Sequence, residues 1–279
     1  MTLEPLLDGL TFGEGPRWHG GKLWFSDFYV HQVRTVDESG KAEMIVEVPG
    51  QPSGLGWRPD GTMLIVSMTD RRLMRFAGGK LSVEAELNPL ATGHCNDMVV
   101  DGAGRAYVGN FGYDRHAGEE MRPAALIRVD PDGAVHQAAE GLMFPNGTVI
   151  TPDGKTMIVA ETFAKRLTAF DIGADGTLSN RRVWAETPTC NPDGICLDAE
   201  GAIWVTGAFT HHMVRVHEGS TTTHDMDLGA RNAYACMLGG ADGRTLFVIT
   251  NIGSGPAIAE KREGRIEIMR VDVPRAGLP

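Results

Sequence analysis

The stretch "TPDGKTMIVAE", residues 151–161, places the turn dipeptide Asp153-Gly154 directly before an apolar run rich in β-prone residues. A dipeptide of this kind between two such runs is the sequence signal of a β-hairpin. Variants of the same pattern recur along the chain as "WHGGKLWFSD" (18–27), "WRPDGTMLIVS" (57–67), "VDGAGRAYVGN" (100–110), "LDAEGAIWVTG" (197–207) and "LGGADGRTLFVIT" (238–250). The sequence therefore predicts six repeats, each containing a hairpin.

The spacing of the repeats indicates the architecture. The turn glycines are Gly21, Gly61, Gly104, Gly154, Gly201 and Gly243, and successive ones are 40, 43, 50, 47 and 42 residues apart. After each hairpin comes a third, alternating run such as "HQVRTVD" (31–37), followed by a looser fourth run. Repeats of this length with four strands are typical of propeller blades. We predict an all-β fold, a six-bladed β-propeller with four-stranded blades, as a single domain over residues 1–279.

The two ends of the chain are predicted to form one blade together. The last repeat finishes at "RIEIMRVDV" (265–273) with only three strands, whereas "LEPLLDGLTF" (3–12) has the pattern of the missing one. We predict that the N-terminal strand completes the last blade and closes the ring, which leaves no open sheet edge between the first and last repeats.

Composition narrows the classes of partner. The net charge is −10, which argues against nucleic acid or an anionic membrane surface. No apolar run approaches the ~20 residues of a membrane span, and the N-terminus "MTLEPLLDGL" lacks the features of a signal peptide. We expect a cytoplasmic protein, a monomer or weak homo-oligomer, whose four cysteines are reduced core residues.

One position recurs in every repeat on the strand that enters the hairpin. Eight residues before each turn glycine, or seven in the shorter first repeat, stand Glu14, Ser53, Asn96, Asn146, Asp193 and Ala235. In a propeller the innermost strand lines the central channel, so these six residues are predicted to form a ring around one mouth of that channel. Glycines beside several of them would let the backbones crowd the axis.

Three members of this ring have the chemistry of a cation site. Glu14, Asn146 and Asp193 would bring together two carboxylates and a carboxamide oxygen. Two like charges held close together are unfavourable unless a cation joins them, and oxygen ligands suit a hard divalent ion. We expect one such ion, Ca²⁺ in the first place, with Zn²⁺, Mn²⁺, Mg²⁺ or Fe²⁺ as alternatives. The other interpretation is that "PNG" and "PDG" are simply turn formers.

Four motifs together resemble the gluconolactonase/regucalcin family of six-bladed propellers. They are "FGEGPRW" (12–18), "CNDMVVDGAGRAYVGN" (95–110), "FPNGTVITPDGKTMIVAE" (144–161) and "NPDGICLDAEGAIWVTG" (191–207). Members of that family are divalent-metal-dependent lactone hydrolases. The resemblance implies that Glu14, Asn146 and Asp193 hold the metal, that Asn96 contacts the substrate, and that Asp193 also serves as the catalytic base.

One position departs from the sugar-lactone members of the family. They carry arginine two residues before the asparagine that corresponds to Asn96, and here that residue is His94. Because histidine cannot replace the bidentate guanidinium, we expect a lactone with fewer hydroxyls than an aldonolactone. Asn110, at the end of a second strand, joins Asn96 and His94 as a predicted substrate contact. The aromatic residues expected near the mouth are Phe28, Phe111, Tyr113 and Phe163.

The predicted function is therefore divalent-metal-dependent hydrolysis of a lactone, a carboxylic ester hydrolase activity on a small-molecule substrate. Three alternatives remain open at this point: a sugar-lactone hydrolase of the gluconolactonase type, a phosphotriesterase-like or arylesterase-like hydrolase, and a calcium-binding propeller without catalytic activity.

Overall fold

The computed structural model describes residues 2–114 and 117–279. Within them the chain forms six antiparallel sheets of four strands each. The sheets are the blades of the propeller, numbered in chain order. The predicted all-β, six-bladed β-propeller is confirmed.

The blades follow one another along the chain with the same order of strands, from the inner strand outward. The first blade consists of β2 Gly13–His19, β3 Lys22–Asp27, β4 Gln32–Val36 and β5 Ala42–Glu47. The second consists of β6 Pro52–Trp57, β7 Met63–Ser67, β8 Arg72–Ala77 and β9 Lys80–Glu86. The third consists of β10 Cys95–Val100, β11 Ala106–Asn110, β12 Ala124–Val129 and β13 Val135–Leu142.

The remaining three blades repeat this arrangement. The fourth consists of β14 Pro145–Ile150, β15 Thr156–Glu161, β16 Arg166–Ile172 and β17 Leu178–Glu186. The fifth consists of β18 Pro192–Leu197, β19 Ile203–Gly207, β20 His212–His217 and β21 Thr221–Asp227. The sixth consists of β22 Asn232–Gly239, β23 Thr245–Asn251, β24 Gly264–Arg270 and β1 Glu4–Leu10. Short helical segments occur at Phe28–Val30, Thr162–Ala164 and, as α1, Pro256–Ala259.

The N-terminal strand closes the ring as predicted. Strand β1 pairs antiparallel with β24, with Glu4 opposite Ile268, and becomes the outer strand of the sixth blade. The Asn251 side chain adds a further link, because its Nδ2 donates to the Thr11 carbonyl oxygen at 3.2 Å. The first and last segments of the chain are thus held in one sheet.

The inner strands are almost completely buried and share an irregularity near the channel mouth. In each blade the pairing of the inner strand with its neighbour shifts register at or beside the ring position, for instance between Pro145 and Thr148 and between Pro192 and Ile195. The other inner strands show the same shift. Such bulges change which way a side chain points, and here each coincides with a ring residue.

Glycines next to the ring residues allow the blades to meet at the axis. A Cβ on Gly147 would lie 2.5 Å from the Asp193 carbonyl oxygen, and one on Gly194 would lie 2.6 Å from the Cα of Ala235. No larger residue fits at either position without moving the neighbouring backbone. The predicted crowding of backbone at the axis is confirmed.

The opposite end of the channel is covered by the C-terminal tail. Leu278 forms two backbone hydrogen bonds with Ile150 at the end of β14, and Arg275 is bridged to Asp198 just beyond β18. All four cysteines are buried free thiols, as expected. Among the described residues, no helix is long and apolar enough to cross a membrane.

Candidate active site at the channel mouth

The ring residues surround a cavity of about 310 Å³ at the open end of the channel. Four of the six line it, and they are the four with the functional side chains: Glu14, Asn96, Asn146 and Asp193. Each of the four is the second residue of its inner strand and is more than nine-tenths buried. The structure therefore brings together the residues that the repeat spacing placed in one ring.

Both carboxylates of the ring have pKa values raised by their surroundings. Burial raises the pKa of Glu14 well above its usual range, and the charges of Asp193 and Asp97 raise it further. Burial also raises the pKa of Asp193, an effect that the Asn146 amide opposes and the Asp97 charge increases. Two acidic groups that resist ionisation in this way would gain by sharing a cation.

A hydrogen-bond network fixes the two ring asparagines. Asn96 Nδ2 donates to Asn146 Oδ1 at 2.8 Å, and Ser53 Oγ donates to Asn96 Oδ1 at 3.2 Å. Asn146 Nδ2 donates to Thr162 Oγ1 at 3.2 Å, and that hydroxyl donates to the Pro192 carbonyl oxygen at 2.8 Å. The network spans the second to fifth blades, so it holds both amides in a defined orientation.

An ion pair lies beside the ring and links the first three blades. Arg17 Nη2 is 2.5 Å from Asp97 Oδ1, and both side chains are at most one-tenth exposed. The guanidinium also donates to the carbonyl oxygens of Leu55 and Met98. Arg17 thereby compensates the third carboxylate near the axis, whereas Glu14 and Asp193 form no such ion pair with the described residues.

The donor set fits a divalent cation. Asp193 Oδ1 is fully buried and has no hydrogen-bond partner, although it lines the cavity with the second carboxylate and an amide. A buried carboxylate oxygen without a partner is costly, and a cation would satisfy it. Across the described ranges no three His, Cys, Asp or Glu side chains converge. Ligation therefore requires the Asn146 amide oxygen and water or substrate oxygens as well.

The rest of the cavity wall is largely aromatic. Its rings belong to Phe12, Phe28, Tyr29, Phe111, Phe144, Phe209 and Tyr234. Several are in mutual contact, with centroid distances of 4.7 Å between Phe12 and Tyr234 and 4.5 Å between Phe111 and Phe144. Among the described lining residues Glu14 and Asp193 are the charged ones, and none of these residues is cationic.

Five of the seven rings were not predicted from the sequence. Phe28 and Phe111 line the cavity as expected, whereas Tyr113 and Phe163 are not part of its lining. A usable signal was present for two of the missed residues. Phe12 and Phe144 each stand two positions before a ring residue, in "FGE" and "FPN".

Two of the predicted substrate contacts lie outside the cavity lining. His94 is half-buried, and its ring centroid is 6.2 Å from that of Phe111, which does line the cavity. Asn110 is fully buried, with Nδ2 donating to the Ala125 carbonyl oxygen at 2.8 Å and Oδ1 accepting the Gly112 N–H at 2.9 Å. Because Asn110 is fully buried and, unlike Asn96, does not line the cavity, we leave it out of the proposed substrate contacts.

Known proteins with this sequence pattern are named as lactonases and regucalcins. Pentonolactonase XacC from Haloferax volcanii is 27% identical over 100% of this chain and 97% of its own length. A 6-deoxy-6-sulfogluconolactonase from Pseudomonas putida is 24% identical over 86% of this chain and 84% of its own length. The predicted enzyme class, a lactone-opening carboxylic ester hydrolase, is the class of these relatives and is confirmed at that level.

Solved structures agree with the fold. A calcium-binding protein, regucalcin, from Agrobacterium tumefaciens superimposes with a TM-score of 0.83 at 22% identity, covering 100% of this chain and 96% of that one. The model of the SMP-30/gluconolactonase/LRE-like region matches residues 12–252, a span that contains all six ring positions. The chain belongs to the SMP-30/gluconolactonase/LRE-like family.

Proposed function

We propose that this protein hydrolyses lactones with the help of one divalent cation, held by Glu14, Asn146 and Asp193. The observation that carries the proposal is the buried pair of carboxylates, one with an oxygen that makes no hydrogen bond, in a cavity whose wall is largely aromatic. The names of the lactonase relatives and of the calcium-binding structural neighbour support the same assignment. Ca²⁺ is the ion we expect, because all the donors are oxygen atoms.

The chemistry divides between the cation and the side chains of the ring. When bound, the cation would polarise the lactone carbonyl and offset the charge of the two carboxylates. Asp193 accepts a proton from the attacking water, which requires one carboxylate oxygen for the cation and the other for the proton. Asn96 lies at the cavity surface beside Asn146 and contacts the substrate.

The wall of the cavity favours a neutral lactone with few hydroxyls. Each buried hydroxyl without a partner would cost roughly 1–3 kcal/mol, and the five phenylalanine rings of the wall offer no such partner. None of the described residues that line the cavity is a cationic side chain that could pair with a carboxylate, phosphate or sulfonate group. A compact lactone such as dihydrocoumarin fits this wall better than glucono-1,5-lactone does, even though two relatives are named for sugar lactones.

A lactone panel tests the proposal. Protein stripped of metal and reconstituted ion by ion should open dihydrocoumarin in a pH-stat only with a divalent ion. The ratio of kcat/KM over glucono-1,5-lactone should be about tenfold or more, equivalent to ~1.4 kcal/mol. Asp193→Asn should lower kcat by roughly 10²–10⁴-fold.

Other outcomes identify the alternatives. Tight calcium binding without turnover of any lactone would make the protein a non-catalytic calcium-binding propeller. Preference for glucono-1,5-lactone would favour a sugar-lactone hydrolase of the gluconolactonase type. Faster turnover of an aryl phosphotriester than of any lactone would favour a phosphotriesterase-like enzyme.

A further inference from the structure

Tyr234 is a buried residue of the sixth blade that the sequence analysis did not single out. It precedes Ala235, the ring residue of that blade, at the register shift of strand β22 between Ala233 and Ala235. Although Ala235 offers no functional group, Tyr234 lines the cavity and is only 2% exposed. The sixth blade therefore places a phenol at the cavity, in the ring order between Asp193 of the fifth blade and Glu14 of the first.

The phenol hydroxyl makes no hydrogen bond of normal geometry with the described residues, although the side chains of Ser254 and Asn232 lie close to it. Tyr234 Oη and Asp193 Oδ1 are, among the described residues that line the cavity, the fully buried side-chain atoms without a hydrogen bond. Buried hydroxyls nearly always have a partner, so an unpaired one at a cavity points to a ligand atom.

We propose that Tyr234 is a further catalytic residue, whose O–H donates a hydrogen bond to the ring oxygen of the lactone as that oxygen leaves the acyl carbon. This role rests on the proposed function. Water adds to the carbonyl carbon and gives one proton to Asp193. The ring carbon–oxygen bond then breaks, and the ring oxygen receives that proton to become the hydroxyl of the product. Tyr234 keeps its own proton throughout.

The location beside Asp193 explains why the ring oxygen is the acceptor. The proton taken by Asp193 must reach the leaving oxygen, so that oxygen lies near Asp193 when the bond breaks. Tyr234 and Asp193 both line the cavity and belong to inner strands that meet closely, since a Cβ on Gly194 would lie 3.1 Å from the Tyr234 carbonyl oxygen. A neutral donor at this place stabilises the negative charge that develops on the leaving oxygen.

The dependence on the leaving group tests the role. Tyr234→Phe removes the hydroxyl and keeps the ring that packs on Phe12. An alkyl lactone such as δ-valerolactone releases an alkoxide, which is far more basic than the phenoxide of dihydrocoumarin, since phenols ionise near pH ~10 and water near ~16. We expect kcat for δ-valerolactone to fall by roughly 10²-fold, in the range seen for loss of one oxyanion donor. The loss for dihydrocoumarin should be several-fold smaller.

Stability separates this role from a structural one. Because Tyr234 Oη makes no hydrogen bond of normal geometry with the described residues, the phenylalanine variant should unfold at about the same temperature as the wild type. Tyr113→Phe is the matched control, since Tyr113 is also buried but does not line the cavity. It should leave the ratio of the two lactone rates unchanged.

Three results would overturn the role. Equal losses for both lactones, or no loss, would show that the hydroxyl does not act on the leaving oxygen. A lower melting temperature with equal losses would indicate a structural hydroxyl. A wild-type protein that opens neither lactone would refute the proposed function and this role with it. If the wild type opens both lactones and Tyr234→Phe slows both equally or neither, the role of Tyr234 alone is refuted.

Discussion

Replacing Gly147 by alanine should loosen the joint between the fourth and fifth blades. The added methyl would lie 2.5 Å from the Asp193 carbonyl oxygen, 2.6 Å from the Ile195 nitrogen and 2.8 Å from the Gly194 Cα. All three are backbone atoms, so no side chain can rotate away and the fifth inner strand must shift. Overpacking of this kind costs about 1–3 kcal/mol, which lowers the melting temperature by roughly 2–10 °C for a chain of this size.

The same shift should disturb the candidate site, because the displaced carbonyl belongs to Asp193. We therefore expect Gly147→Ala to weaken calcium binding, measured by calorimetry, together with the loss in melting temperature. Gly102→Ala is the matched control, since its Cβ meets nothing within 4 Å and its backbone is not left-handed. If Gly147→Ala has the same melting temperature as Gly102→Ala and binds calcium like the wild type, the blades do not need glycine at this contact, and the reasoning is refuted.

Two further predictions concern charge near the axis. The pKa values of Glu14 and Asp193 are raised in the fold, so the cation-free protein loses stability as pH rises from the unfolded value near ~4 through the folded values. Calcium should therefore raise the melting temperature more at pH 7.5 than at pH 5, and an equal rise at both would contradict this. Arg17→Met should cost about 3–5 kcal/mol in urea unfolding, because it leaves Asp97 buried and uncompensated. Adding Asp97→Asn should restore part of the lost stability. If Arg17→Met alone is as stable as the wild type, the buried charge of Asp97 does not destabilise the fold.

The fold and the ring could be predicted because both depend on local signals that repeat. Each hairpin turn carries a glycine with positive φ, such as Gly154 at 69°, and counting back from it reaches the same place on every inner strand. Glu14, Asn146 and Asp193 were found in this way, since equivalent positions in a closed ring must meet at its axis. Because the local pattern recurs six times, it predicts which residues lie close together in three dimensions.

The cavity wall was harder to predict because it depends on where loops and bulges turn. The bulge in β22 brings in Tyr234 beside the uninformative Ala235, and no turn residue in the sequence marks that bulge. Asn110 was counted as a substrate contact from its place at a strand end, but its amide pairs with Ala125 and Gly112 within its own blade. Such short-range hydrogen bonds are decided by rotamers, which strand periodicity does not specify.

The pairing of the N-terminal strand with the last blade has a consequence for the order of folding. Leu10 pairs with Gly264, so forming this sheet closes a loop of roughly 250 residues, at an entropic cost on the order of 5 kcal/mol in an unstructured chain. The other five blades pair strands that are close in sequence and can form before this closure. Assembly of the sixth blade should therefore be the slow, late step. Until it occurs, the chain is an open arc of blades with two unpaired edges, and that intermediate is the species most exposed to aggregation.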